Sequence, residues 1–284
     1  MSEVATRFAP SPTGRLHLGH AWSALCAHDF ARADNGHFLL RIEDIDPGRA
    51  RPEHVSGIIE DLLWLGLDWE GEIVFQSERT ALYAMALEDL KRRGLAYPCF
   101  CTRRDIAASA NAPHGPDGPL YPGTCRLLDT ADRARRVATE AHCWRLDMAV
   151  AVDEAGPLSW VDGEAVVHTA TPAIHGDVVL ARKDAPVSYH LAVTVDDAAQ
   201  AISHVVRGRD LIEATHVHRL LQALLDLPTP IYIHHALLGT AAGERLAKRT
   251  GAPAIADLRV AGVNAAALIG AMREGRFSDG YRLL

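Results

Sequence analysis

R-F-A-P-S-P-T-G-R-L-H-L-G-H, from Arg7 to His20, carries three kinds of backbone in one short stretch. Residues 4–9 form a short extended run. Pro10 to Gly14 is a tight turn, with Thr13 and Gly14 supplying small side chains and backbone freedom. A helical pattern starts at Leu18 and runs through Ala21, Leu25 and Phe30 until Gly36 stops it near residue 35. Beyond it, His37 to Ile42 (H-F-L-L-R-I) has the composition of a buried strand. Strand, helix and strand at this spacing make a βαβ unit, hence a parallel sheet and an α/β fold. Ligands on such sheets bind at the carboxyl ends of the strands. The Pro10–Gly14 turn and the acidic run Glu43-Asp44-Ile45-Asp46 should therefore share one edge. A helix start offers unpartnered N–H groups to an anion. His17 and His20, three apart, fall on one side of that start, as donors to a phosphate.

The 284 residues suit one large α/β domain or two of moderate size, and 48% hydrophobic with 23% charged residues is ordinary for a globular protein. No apolar run reaches membrane-spanning length and the N-terminus lacks a signal-peptide pattern. A cytoplasmic protein with no membrane partner, and a monomer, is expected. Net charge of -7 means that any nucleic acid must be met by local basic patches. Five cysteines (Cys26, Cys99, Cys101, Cys125, Cys143) in a reducing compartment point to metal binding or burial, not disulfides.

Two helices follow the acidic run, one with Val55, Ile58, Ile59, Leu62 and Leu63 at helical spacing. The other has Ser77 as its N-cap, Leu82, Met85, Leu87 and Leu90 as apolar residues, and Gly94 as its stop. Residues 95–128 hold three cysteines and a long Gly/Pro-rich loop, Asn111 to Gly123. An Arg-rich helix is expected at 130–141. From Trp144 to Val167, short strands alternate with turns, with a hairpin signal at Asp162-Gly163. Parallel-sheet character is expected again at Asp177–Arg182 and Ser188–Val195, followed by His204–Val206, a helix around Thr215–Leu227 and an apolar run at Ile231–Ile233. Short helices such as Asn264–Glu274 close the chain.

Several groups can carry chemistry. Alternation aims Arg41, Glu43 and Ile45 to one side, where a carboxylate can bind an amine, although the run alone reads more readily as a solvated acidic loop. Cys99, Cys101 and Cys125 flank a long loop and suit a structural zinc, leaving one position open. Ligand chemistry favours His114 for it, with Tyr121, water, His142 or Cys143 as alternatives. Cys26 sits on a helix face as core. Glu244-Arg245-Leu246-Ala247-Lys248-Arg249-Thr250, after Gly239 and Gly243, is a basic loop able to neutralise phosphate charge. Tyr189 and Arg207 fall on separate predicted strands, and with Arg7 an arginine there can bind a carboxylate. Arg133, Arg135 and Arg136 are candidate RNA contacts.

The order of these motifs resembles the class I glutamyl-type aminoacyl-tRNA synthetases. H-L-G-H matches their HIGH signature, R-I-E-D-x-D and V-R-G-x-D follow, and Arg245–Arg249 matches the KMSKS loop loosely, with Lys248 at its second lysine. Length and the cysteine spacing resemble the truncated paralogue family, the glutamyl-queuosine tRNA(Asp) synthetases. The resemblance implies a Rossmann-like parallel sheet with a zinc-containing inserted subdomain and a short helical C-terminal part. Residues 1–94 and 176–238 would form the two halves of the catalytic domain. Residues 95–175 would form the insertion and 239–284 the lysine loop and helical end, with no anticodon-binding domain. It implies ATP-dependent activation of L-glutamate without tRNA, with magnesium accompanying ATP, and transfer to the queuosine base of tRNA(Asp). The alternatives are a shortened glutamyl-tRNA synthetase that charges a 3′ end, or a glutamate- or nucleotide-binding module. The implied catalytic residues are His17, His20 and Lys248, which with Gly19 contact ATP. The implied glutamate contacts are Arg7, Phe8, Ala9, Pro10, Ser11, Glu43, Tyr189 and Arg207. The implied zinc ligands are Cys99, Cys101, Tyr121 and Cys125.

Overall fold

A computed structural model of the chain describes residues 3–107, 114–115, 118–240, 242–243, 246, 253–277 and 280–284. In chain order the elements are β1 (Ala5–Phe8), α1 (Leu18–Ala33), β2 (His37–Ile42), α2 (Pro52–Leu65), β3 (Val74–Phe75), α3 (Thr80–Arg92), β4 (Ala96–Cys99), α4 (Arg103–Ala107) and the short strands β5 (His114–Gly115) and β6 (Gly118–Pro119). Then come α5 (Thr130–Thr139), β7 (Cys143–Leu146), α6 (Met148–Ala155), β8 (Ser159–Val161), β9 (Val167–Thr169), β10 (Val179–Ala181) and α7 (Tyr189–Ala199). The last are β11 (His204–Gly208), α8 (Ile212–Leu224), β12 (Ile231–His235), β13 (Leu238–Thr240), α9 (Ile255–Val260), α10 (Ala265–Arg273) and β14 (Tyr281–Leu283). Among the described residues no helix is long and apolar enough to cross a membrane.

Contacts divide the chain into two compact units. The first comprises Met1–Glu78, Ala201–Ile212 and Pro230–Leu284. Its β1, β2 and β3 form a parallel sheet in that order, and β11 pairs in parallel with β12. Ser203, just before β11, receives the Ala5 N–H on its hydroxyl at 2.8 Å and gives its own N–H to the Ala5 carbonyl at 3.1 Å. This sets the start of β11 beside the start of β1. The strands then run β3, β2, β1, β11, β12, with a switch in direction of winding between β1 and β11, as in doubly wound α/β folds. The predicted βαβ unit is present, with α1 as its crossover. At its end Gly36 passes so close to β1 that a Cβ would stand 2.3 Å from the Val4 carbonyl oxygen.

Alternation assigns the two faces of this sheet. Phe8, Phe38, Leu40, Ile42 and Val206 join the core that includes Leu18, Ala21, Ala24 and Leu25 of α1. On β1, Thr6 also turns that way, its hydroxyl bonded to the Ala27 carbonyl of α1 at 2.9 Å. Arg7, Leu39, Arg41 and Arg207 therefore occupy the opposite face.

The second unit comprises Arg79–Gln200 and Glu213–Thr229. Its sheet is antiparallel, β10-β7-β4, so the parallel pairing expected at Asp177–Arg182 is absent. Ser188–Val195 is not a strand but the first turns of α7, buried almost throughout. A helix covered on every side shows no apolar stripe, and its β-branched residues imitate a strand. Met148–Ala155, expected among short strands, is also helical, with Asp147 as N-cap and Gly156 as stop. The hairpin at Asp162-Gly163 is present as β8 and β9. Ser77 is not the N-cap of α3 but lies in a short 3₁₀ turn ahead of it, and Leu82 and Met85 face outward while Tyr83, Leu87 and Leu90 are buried.

Candidate active site

At the carboxyl end of β1 the turn is tied to its neighbours through backbone. The Pro10 carbonyl accepts the Glu43 N–H at 3.0 Å, and the Pro12 carbonyl accepts the Arg51 N–H at 3.1 Å. The turn and the acidic run thus share one edge, as expected. Within the run the carboxylates differ. Asp44 accepts the N–H and hydroxyl of Ser77 at 2.8 and 2.7 Å, and Asp46 accepts the Gly48 N–H at 3.1 Å and the Arg49 guanidinium at 2.8 Å. Both hold loops. Glu43 instead keeps its carboxylate near Arg41, 3.5 Å away, with both side chains almost covered.

Arg7, Arg41 and Arg207 are buried, at 5, 0 and 4% exposure, on the face away from α1. Arg207 is braced by the Leu211 carbonyl at 3.1 Å, by His234 at 3.4 Å, and by the Tyr232 ring under its guanidinium. Glu43 follows the same alternation. Three guanidiniums and one carboxylate on a single sheet face make a site suited to a small molecule with more carboxylates than amines. Phe8 points its ring into the α1 core, so only its backbone can serve this face. Arg41 was not singled out from sequence, although the alternation that selects Glu43 also selects it.

The motif histidines meet at the start of α1, their ring centres 3.8 Å apart. His17 is the N-cap, and its Nδ1 accepts the Gly19 N–H at 3.1 Å; the Nδ1 of His20 accepts the His17 N–H at 3.2 Å. With both Nδ1 atoms acting as acceptors, the proton of each neutral ring sits on Nε2. At this helix start two backbone N–H groups, of His17 and Gly19, are taken by the rings, whose remaining donors are the Nε2–H groups. Gly19 permits this, since a Cβ there would stand 3.1 Å from the His17 ring. Lys248, with Arg245 and Arg249, lies outside the described residues.

Tyr189 opens α7 in the second unit, with its ring 5.6 Å from those of His190 and His218. It stands on a helix, not on the strand expected. The Arg-rich helix α5 lies on the surface, and each of its arginines has a partner within its own unit. Arg133 bonds the Arg126 and Leu128 carbonyls, Arg136 bonds Glu140 and covers the Phe100 ring, and Arg135 pairs with Asp132.

The sulfurs of Cys99, Cys101 and Cys125 lie within 4.8 Å of one another. Cys101 and Cys125 are 3.6 Å apart, and the Tyr121 hydroxyl is 3.7 Å from the Cys101 sulfur. Zinc–sulfur bonds of about 2.3 Å in a tetrahedron place neighbouring ligands about 3.8 Å apart, so this spacing fits zinc. The donor set fits as well. Phe100 gives its N–H to the Cys125 sulfur at 3.4 Å, and the Tyr121 hydroxyl accepts the Cys125 N–H at 2.8 Å. Cys143, opposite Cys99 in the ladder, donates its thiol to the Cys99 carbonyl at 3.5 Å. His142 turns Nδ1 to the Glu140 carbonyl instead, and the His114 side chain lies outside the described residues. Cys26 is half-buried and packs against the core, its thiol pushed up to about 12, mainly by burial.

Arg145 lies over the Tyr121 ring at 4.1 Å and bonds the Asp177 carbonyl at 2.7 Å. The buried Asp177 carboxylate accepts Tyr97 Oη at 2.5 Å, the Met148 N–H at 3.0 Å and the Arg126 guanidinium at 3.1 Å. No local pattern announces this hub, because its partners come from three separate stretches, at Tyr97, at Arg126 and at Arg145–Met148.

The family model for class I tRNA synthetases (E and Q), catalytic domain, matches residues 3–278. A glutamyl-Q tRNA(Asp) synthetase of Rhodobacter capsulatus is 49% identical, over 93% of this chain and 97% of that protein. The one of Nocardia farcinica is 46% identical, over 91% of this chain and 80% of that protein. Among solved structures, the glutamate-tRNA synthetase from Elizabethkingia anophelis is similar with a TM-score of 0.74 and 28% identity; the match covers 88% of this chain and 53% of that one.

Proposed function

Since this chain belongs to the class I synthetases of the glutamate and glutamine type, and among them to the glutamyl-Q tRNA(Asp) synthetases, we propose that the arginine-lined sheet face is where it activates L-glutamate. The enzyme joins glutamate to the queuosine base of tRNA(Asp) after activating it with ATP. The observation that carries the assignment of the site is the shared face. Arg7, Arg41, Arg207 and Glu43 all stand on it at the strand ends, beside the turn that leads to His17 and His20.

In this reading Glu43 takes the ammonium group and the arginines take the carboxylates, with Ala9, Pro10 and Ser11 and the Phe8 backbone lining the approach. Tyr189 is assigned to the same amino acid. Glutamine would leave a buried guanidinium without its anion, a loss of about 1–3 kcal/mol or more, so glutamate is preferred. An oxygen of the α-carboxylate attacks the α-phosphorus of ATP, the bond to the β-phosphate breaks, and pyrophosphate leaves. The Nε2–H groups of His17 and His20 donate to the phosphate oxygens as charge builds, and Gly19 lets them approach. Lys248 is assigned to the pyrophosphate side, and magnesium accompanies ATP. A hydroxyl of the queuosine cyclopentene ring then attacks the adenylate carbonyl, and AMP leaves with the bonding electrons. Cys99, Cys101, Tyr121 and Cys125 would hold a zinc ion whose contribution is structural.

Glutamate-dependent exchange of pyrophosphate into ATP, measured without RNA, tests activation. Labelled glutamate is then offered with queuosine-containing and queuosine-free tRNA(Asp). Label confined to the modified anticodon is expected. Label at the 3′ end would favour a charging synthetase, and absence of exchange a binding module.

A further inference from the structure

In α2 the side chains at Ile58, Asp61, Leu62 and Leu65 form one buried stripe at helical spacing. One of the four is a carboxylate, at 1% exposure. Among the described residues, neither oxygen of Asp61 has a hydrogen-bond partner. Its neighbouring cation is Arg259 of α9, 3.7 Å away, which also pairs with the exposed Glu60 at 2.9 Å. A carboxylate in such a place costs the fold free energy, since burial without hydrogen bonds is unfavourable. An apolar residue would fill the stripe better.

The helix that Asp61 attracts is not an ordinary surface helix. Its first residue, Ile255, is fully buried and gives its N–H to the Leu16 carbonyl at 2.9 Å. Its N-cap, Ala254, forms a β-bridge with His17. The start of α9 is thus sewn to the two residues that lead into α1, and His17 is the residue whose ring caps α1. Arg15 and Asp257 add an exposed ion pair between the same segments, 3.3 Å apart. Such a surface pair contributes little. Asp61, at 1% exposure, faces Arg259 with less screening by water than the exposed acids Glu60 and Asp257 have.

We propose that Asp61 is a positioning residue for the motif histidines: through Arg259 it holds α9, whose first turn fixes the backbone at Leu16 and His17. It touches no substrate. Its role rests on the assignment of His17 and His20 to ATP. The fold keeps an unfavourable carboxylate in exchange for a more exact placement of two donors, and small misplacements of catalytic groups carry large rate effects.

The test uses the whole chain with Asp61→Asn, which keeps the shape and removes the charge. Hydrogen exchange of the Ile255 amide should quicken by about tenfold, while kcat for glutamate-dependent pyrophosphate exchange falls by about three- to tenfold with KM for glutamate unmoved. The melting temperature at pH 7.5 should stay or rise. Arg259→Gln should reproduce the loss of kcat and add nothing when combined with Asp61→Asn, and Glu60→Gln should change kcat by less than about twofold. Unchanged kcat, an unchanged Ile255 amide, or a loss of activity that merely tracks a lower melting temperature would overturn the proposal. Failure of wild-type exchange activity would instead remove the functional reading, and the Ile255 amide would still report whether Asp61 holds α9.

Discussion

Asp177→Asn should loosen the second unit and its metal site together. The side chain is 4% exposed and its two oxygens take bonds from Tyr97, Arg126 and the Met148 backbone. Asparagine keeps one acceptor and replaces the other by an NH₂ group, which meets either the Tyr97 hydroxyl and the Arg126 guanidinium, both on Oδ2, or the Met148 N–H on Oδ1. The Tyr97 bond loses its charged acceptor, and Tyr97 is itself buried. Arg126 is partly exposed and water replaces some of what it loses. Hydrogen bonds to charged groups contribute about 1.5–3 kcal/mol each, so two weakened bonds, discounted for Arg126, give about 2–4 kcal/mol. At roughly 2–4 °C per kcal/mol for a unit of this size, the transition should move down by roughly 4–16 °C. Arg126 follows Cys125 directly, so the same change should quicken zinc release. Urea denaturation gives the first quantity, and the rate of zinc transfer to a chromogenic chelator gives the second. Tyr97→Phe, which removes one donor and leaves the charge, should cost about 1–2 kcal/mol. A urea midpoint for Asp177→Asn equal to wild type refutes the hub; a shifted midpoint with unchanged zinc release refutes its link to the metal.

Lys248→Ala should slow pyrophosphate exchange by about tenfold or more, the scale of lost charge stabilisation in a transition state, and near-normal exchange would remove it from the catalytic residues. Cys101→Ser should lower the zinc content of the purified protein, read by mass spectrometry under native conditions; an unchanged metal content sinks the ligand assignment. Asp61 predicts a pH dependence. Its carboxyl is pushed up to about 6, first by burial, with Arg259 and Arg15 opposing and Glu60 and Asp257 adding. A value raised above that of the unfolded chain means that folding takes up a proton. The extra stability is complete below about pH 4 and is lost as pH rises through about 6. Between pH 7.5 and pH 5 it amounts to about 1.4 kcal/mol, and Asp61→Asn should show a urea-stability difference between these pH values smaller by that amount. A variant that follows the wild-type profile refutes the assignment of Asp61.

The parts of the fold legible from sequence were those set by contacts close in the chain. Arg7 to Ile42 could be read because a strand, a turn with glycine and proline, and a one-sided helix each leave a local pattern. Ser188–Val195 could not be, since α7 is covered on every side and β-branched residues there pack as well in a helix. Met148–Ala155 was missed for a related reason: its run of Ala and Val is short, and its N-cap, Asp147, stands in a stretch rich in other turn residues. The site divides the same way. Glu43 was legible from strand alternation, whereas the position of Tyr189 depended on whether its segment was a strand. Asp177 and Arg145 were silent, because what makes them matter is a fold that brings Tyr97, Arg126 and Met148 to one carboxylate.

Asp61 is a third kind of case, legible only as a contradiction. The periodicity of α2 predicts an apolar residue wherever the stripe faces inward, and at 61 the chain places an acid. Taken as a pattern, this is noise on a surface helix. Taken with the structure, it is a buried anion opposite an arginine on the helix sewn to His17. Violations of local consistency that persist in a folded protein concentrate where function demands them. The stability test at Asp61 therefore separates two explanations that the sequence alone leaves equal. If removing the charge stabilises the protein and leaves the rate untouched, the acid is an imperfection of the core. If it stabilises the protein and slows adenylate formation, the core carries a constraint imposed by the two histidines.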